Sequence, residues 1–269
     1  MTKNERVRKL LEENRDVLLN GEKNNGICFD GLVDEKIYDA QEHKVVVLLK
    51  ETNGDDFDGN KVEKQNDFDY IAWLKKQQVN NEPEWRKKGD KEYLETNVFY
   101  HSTFRKLCYW LSLLFDELDN GKVNSQKFIT NGQVNIPVVR QVLNNVGVIN
   151  LKKSWGRKQT NGETLSEYVL RTDNIKILRE QMNILSPQIV LCCSPTVFEL
   201  ATQVYANGVN FFCKEPSRTI SGKNVEFAIM NDRIYVNFYH PQYYGKTDEV
   251  FSNYAIETFE HLHNYLTKN

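Results

Sequence analysis

Three short stretches concentrate the side chains able to do chemistry, and each follows a run that reads as a strand. LLKETNGDDFD (Leu48–Asp58) carries Glu51, Asn53, Asp55, Asp56 and Asp58, with Phe57 among them. VINLKKSWGRK (Val148–Lys158) carries Asn150, Lys152, Lys153, Arg157 and Lys158 around Trp155. NFYHPQYYG (Asn237–Gly245) carries His240, Pro241, Tyr243 and Tyr244. Carboxylates orient water or accept a proton, and an imidazole gives or takes one near neutral pH. An amide offers both a donor and an acceptor, and lysine and arginine hold phosphates. Each group also has a plainer use: an acidic loop is solvated, a basic run faces water, and a histidine before proline makes a turn.

Strands and helices must carry these loops. KVVVLLK (Lys44–Lys50) is a continuous apolar run rich in β-branched residues, which predicts a buried, parallel strand. Further strands are predicted at Val146–Leu151, at QIVLCCS before Pro195, and in a hairpin, EFAIMNDRIYVN, turning at Asn231-Asp232. Amphipathic helices are predicted at residues 4–20, in NIKILREQMNIL, in SPTVFELATQVYAN and in the last twenty or so residues. Alternation of strand and helix predicts an α/β three-layer sandwich with a central, mainly parallel sheet. Ligands bind such sheets at the carboxyl ends of the strands, where the three loops lie. Residues 57–130 show charged, aromatic helical patterns and no strand, and predict a helical insertion on a single domain spanning 1–269.

Bulk composition narrows the class. The 269 residues are 40% apolar and 27% charged, with a formal net charge of -2. That describes a soluble globular chain with no global basic field, so any nucleic-acid contact must come from local patches. Five cysteines, an odd number without CxxC spacing, support neither a disulfide framework nor a zinc site. The charged N-terminal stretch lacks the apolar core of a signal peptide, and no run of 18 apolar residues occurs. A reduced, cytoplasmic, monomeric protein without membrane contact is expected. His43, His101, His261 and His263 lack metal-ligand spacing and read as structural or solvated.

The three loops, in this order, resemble the motifs of the uracil-DNA glycosylase superfamily. KETNGDDFD is similar to that superfamily's GEAPG-type first loop, with Glu51 and Gly54 on its Glu and final Gly. INLKKSWG resembles its strand ending in Asn, and His240-Pro241 its final His-Pro-Ser. LREQMNILSPQIVLCCSPTVFELA resembles the helix–strand–helix between the last two motifs. The likeness covers roughly Val45–Asn60 and Val146–Gly245. Lys50, Asn53 and Gln242 stand where the family has Gly, Pro and Ser, and the cysteines lack the spacing of the branch's iron–sulfur cluster.

The resemblance implies a uracil-DNA glycosylase-like fold and hydrolytic removal of uracil, or a related damaged or modified base, from DNA. Water is then the nucleophile and no cofactor is needed. It implies that Glu51, with Asp55 as second choice, orients the water or stabilises the sugar cation. His240 donates to the base oxygen as charge builds. Asn150 reads the base edge, Asn53 belongs to the same pocket, and Phe57 stacks on a base taken out of the helix. Lys152, Lys153, Arg157 and Lys158 hold phosphates, and Tyr243 and Tyr244 wedge into the duplex. Two other readings stay open: a catalytically inactive module of the same fold that binds DNA or a nucleotide, and a phosphoesterase holding Mg²⁺ on Asp55, Asp56 and Asp58.

Overall fold

The computed structural model describes residues 1–20, 26–53, 67–79, 102–130, 133–156, 162–206, 211–241 and 248–268. Its strands are β1 (Cys28–Phe29), β2 (Gly31–Leu32), β3 (Val45–Asn53), β4 (Phe68–Asp69), β5 (Ile129–Thr130), β6 (Gln133–Val134), β7 (Val146–Gly156), β8 (Ile189–Cys193), β9 (Phe211–Pro216), β10 (Asn224–Met230) and β11 (Arg233–Phe238). Its helices are α1 (Lys3–Glu13), α2 (Arg15–Leu19), α3 (Glu35–Ala40), α4 (Tyr70–Val79), α5 (Ser102–Asn120), α6 (Ile136–Val139), α7 (Gly162–Val169), α8 (Thr172–Leu185), α9 (Pro195–Tyr205) and α10 (Asp248–Lys268).

Seven strands form the central sheet in the order β2-β7-β3-β8-β11-β10-β9. The four inner strands, β7, β3, β8 and β11, run parallel, and β2 and β10 run against them. Continuous apolar runs make β3 and β8 the buried centre; every residue of β8 is sealed from solvent. Side chains alternate across the sheet into two cores. Val45, Val47 and Leu49 join one with α5 and α10; Val46 and Leu48 join the other with α1, α8 and α9. The protein is thus a mixed α/β fold, its mostly parallel sheet flanked by helices on both faces.

Local chemistry explains the element ends. Thr2 and Glu5 form a reciprocal capping box on α1. Ser194 caps α9 through its hydroxyl, with Pro195 in the first turn. Asn231 and Asp232 both take positive φ, 51° and 59°, the primed turn that suits the twist of β10 and β11.

Two expectations need correction, and α5 can be placed. The single helix read at 4–20 is two, α1 and α2, broken where the Asn14 side chain bonds back to the Leu10 carbonyl at 2.8 Å. The strand read as ending at Leu151 runs on to Gly156, because β3 continues beside it. Within the span read as a helical insertion, α5 is a layer of the main core. Its Trp110 meets Phe238 of β11 edge-on at 4.9 Å, and Leu107, Leu111 and Leu114 are sealed. The same span also holds the short strand β4, paired with β1.

One carboxylate of the last helix gathers the turn that follows β9. Glu257 of α10 accepts from Ser217 Oγ and Arg218 N, both at 2.7 Å, and from Thr219 Oγ1 at 3.0 Å. These donors hold its pKa at about 2, below an ordinary 4.5, against the opposing effect of burial. The stability this gives is present above pH 4.5 and is lost as pH falls toward 2. That depression corresponds to at most about 3 kcal/mol. Glu257→Gln is expected to flatten the urea midpoint between those pH values, and an unchanged slope would refute the assignment.

All five cysteines are thiols rather than disulfides; Cys28, Cys108, Cys192 and Cys193 are buried, and burial pushes the Cys108, Cys192 and Cys193 thiols up. Half-buried Cys213 is also raised, by burial and then by Glu215. A thiol reagent at pH 8 is expected to label Cys213 alone, slowly, and all five only in denaturant. Fast labelling of a second thiol would contradict this packing.

Candidate active site

In chain order the parallel strands are β3, β7, β8 and β11, yet in space β3 lies between β7 and β8. The chain leaves β3 to one side and returns to the other, so the carboxyl ends of β3 and β8 border a topological switch point. Lys50 and Glu51 lie in the carboxyl-terminal half of β3, Lys152 in that of β7, Ser194 just past β8 and His240 two residues past β11.

Glu51 and Lys152 are ladder partners, Oε2 to Nζ at 3.4 Å, with only 4% and 13% of their side chains exposed. The same ammonium sits 5.9 Å from the centre of the Tyr168 ring. His240 is half-buried and Pro241 buried. Burial, and then the charge of Lys50, lower the His240 pKa to about 4. The imidazole is therefore neutral at pH 7, with one nitrogen donating and one accepting.

Asn150 and Lys153 are placed differently from the expectation. Segment 27–32 runs antiparallel to β7, bridging Ile27 to Ser154 and pairing Gly31 with Val148. Between these points Asp30 replaces the ladder. Its carboxylate accepts from Asn150 N at 2.6 Å, Asn150 Nδ2 at 3.3 Å and Gln181 Nε2 at 2.6 Å. Lys153 Nζ lies 2.7 Å from both Asp30 oxygens, and both side chains are 0% exposed. Lys153 is thus bound to Asp30 rather than presented to a phosphate. Burying either charge requires the other, and the amide donors complete the cage.

Asn150 is fully sealed; its amide nitrogen faces Asp30, while its carbonyl oxygen has no hydrogen-bond partner among the described residues. A carboxylate only accepts, so the amide orientation is determined by chemistry. Asn53 ends β3 opposite Gly156. Asp55, Phe57, Arg157, Lys158, Tyr243 and Tyr244 lie outside the described residues. The structure therefore brings Glu51, Lys152 and His240 to the strand ends and seals Asn150 and Lys153 beneath them.

Two residues of this region escaped sequence reading. Asp30 had a signal: it is the sole charge in ICFDGLV, a stretch otherwise apolar apart from Gly31, and a buried acid demands partners. Lys50 stood out only as a departure from the family's Gly, since its influence on His240 depends on strand order. Among the described residues no group of three or more His, Cys, Asp or Glu could hold a metal ion, and no helix is long and apolar enough to cross a membrane. No family model, curated protein or solved structure matches the chain.

Proposed function

We propose that the protein is a monofunctional DNA glycosylase of uracil-DNA glycosylase type, hydrolysing the bond between deoxyribose and uracil or a related damaged or modified base. The observation that carries this reading is a shielded carboxylate, Glu51 on β3, and a neutral imidazole, His240 past β11, on the two strands that flank β8 at the carboxyl side of one parallel sheet. Breaking a sugar–nitrogen bond builds positive charge on the sugar and negative charge on the base. A carboxylate suits the first and a neutral N–H donor suits the second. A histidine of ordinary pKa would be partly charged near pH 6.5 and would lose its accepting nitrogen. Lys152, partly buried beside Glu51, sets the carboxylate in place and adds positive potential for a DNA backbone.

The test is release of a base. Labelled oligonucleotides bearing uracil, hypoxanthine, xanthine or hydroxymethyluracil are incubated with the protein in chelator and then treated with hot alkali. Strand cleavage at the altered base is expected; intact strands for every substrate at high protein concentration would overturn the reading. One observation favours a second reading, a binding module of the same fold. Asn150 is sealed and its amide nitrogen is bound to Asp30, so a base reaches only its carbonyl, and only if the site opens. Salt-dependent DNA binding without base release would establish that module.

A further inference from the structure

Alternation along β3 sends Lys50 and Glu51 to opposite sides of the sheet, the first with Val46 and Leu48, the second with Val47 and Leu49. Glu51 turns to Lys152. Lys50 therefore receives no neutralising charge from its own neighbour, and it forms no ion pair among the described residues. Register places it. Leu48 is level with Cys192 of β8, and Cys192 is level with Asn237 of β11. Two residues further on, β3 has reached Lys50 and the chain after β11 has reached Tyr239, next to His240, while β8 has ended at Cys193 and β11 at Phe238. Beyond the end of β8, then, the backbone at Lys50 and the backbone at Tyr239–His240 flank one gap, the width of two strand spacings, about 10 Å. The turn that fills its floor opens α9, whose first amides add positive potential and no counter-charge. Lys50 already acts across the gap, since its charge lowers the affinity of His240 for a proton.

We propose that Lys50 is a catalytic residue of this site, its ammonium lying against the leaving base and stabilising the negative charge that collects there as the bond breaks. The inference rests on the glycosylase reading. The electron pair of the sugar–nitrogen bond passes to the base, and water supplies oxygen to the sugar carbon. One water proton passes to Glu51 and returns through solvent to the released base. His240 donates its N–H to the base oxygen throughout. A neutral base in the ground state gains little from the cation, whereas a departing anion in a site shielded from water gains much, so the interaction acts on the transition state.

Leaving-group acidity tests this. A fixed cation matters most when the departing anion is least stable, so its removal should slow uracil release more than release of 5-fluorouracil, the more acidic base. In single-turnover assays Lys50→Met is expected to lose about 100-fold on uracil and about 10-fold on 5-fluorouracil, while Lys50→Arg, which keeps the charge, stays within about 10-fold of wild type on both. His240 followed by NMR is expected to titrate at higher pH in Lys50→Met than in the unaltered protein, a readout independent of turnover. A Lys50→Met protein that matches wild type, or loses equally on both bases, overturns the role of Lys50 alone. A wild-type protein that releases neither base overturns the underlying reading as well.

Discussion

Replacing Asp30 with alanine is expected to lower stability by about 3–5 kcal/mol, the cost of leaving a buried lysine without its partner. Asp30 is the one acceptor of Lys153 Nζ among the described residues, and both side chains are withdrawn from water. The same substitution strips the backbone N–H of Asn150 and the amide of Gln181 of their acceptor, and both groups are sealed. The pair itself is not required for stability, because exchanging both charges for apolar groups of similar volume removes both desolvation costs. Asp30→Leu combined with Lys153→Met is therefore expected to recover most of the loss, with a residue of about 1–3 kcal/mol from the orphaned amides. Urea unfolding followed by circular dichroism measures all three proteins, provided the slope is unchanged. A loss under about 1 kcal/mol for Asp30→Ala would mean that water reaches the ammonium, and Lys153 would return as a phosphate contact.

This cage marks the boundary of what periodicity conveys. The runs VVVLL and IVLCC announce strands because burial on both faces leaves no room for polar residues. The hairpin at Asn231-Asp232 was equally legible, since a primed turn needs residues that tolerate positive φ. The end of β7 was not. Lys152 and Lys153 look like loop residues, and only the neighbouring strand shows that the chain stays extended there. Along an extended chain they must point to opposite sides, one to Glu51 at the rim and the other inward to Asp30. Two adjacent lysines with identical local preferences thus acquire opposite surroundings from a pairing made over a hundred residues away in sequence. The placement of α5 follows the same logic. Its apolar stripe reads as a helix, but nothing local says that the stripe covers β11 rather than a separate subdomain. Glu51 and His240 stood out as candidates because they close recognisable apolar runs, while the influence of Lys50 on His240 depends on strand order.

The largest effect on turnover is expected from Glu51→Gln and His240→Ala, each lowering the single-turnover rate of base release by about 100- to 1,000-fold in protein that circular dichroism shows to be folded. Glutamine keeps the shape of Glu51 but cannot accept the water proton or face the sugar cation as a charge. Alanine at His240 removes the donor to the base. The pH profile separates His240 from an ordinary histidine. Burial and Lys50 favour the neutral form, so its pKa of about 4 keeps the imidazole unchanged from pH 8 to about 5. The His240 limb of the rate profile should therefore lie near pH 4, and a limb at 6.5 would show that the imidazole is neither buried nor close to Lys50. Stability carries the same sign. The unfolded chain takes up a proton at this histidine near pH 6.5 while the folded chain resists until about 4, so stability falls across that window as pH is lowered. His240→Asn should remove that part of the acid sensitivity. A protein that loses turnover in His240→Ala and keeps its full acid sensitivity in His240→Asn would have a catalytic histidine in water, held by something other than the strand ends described here.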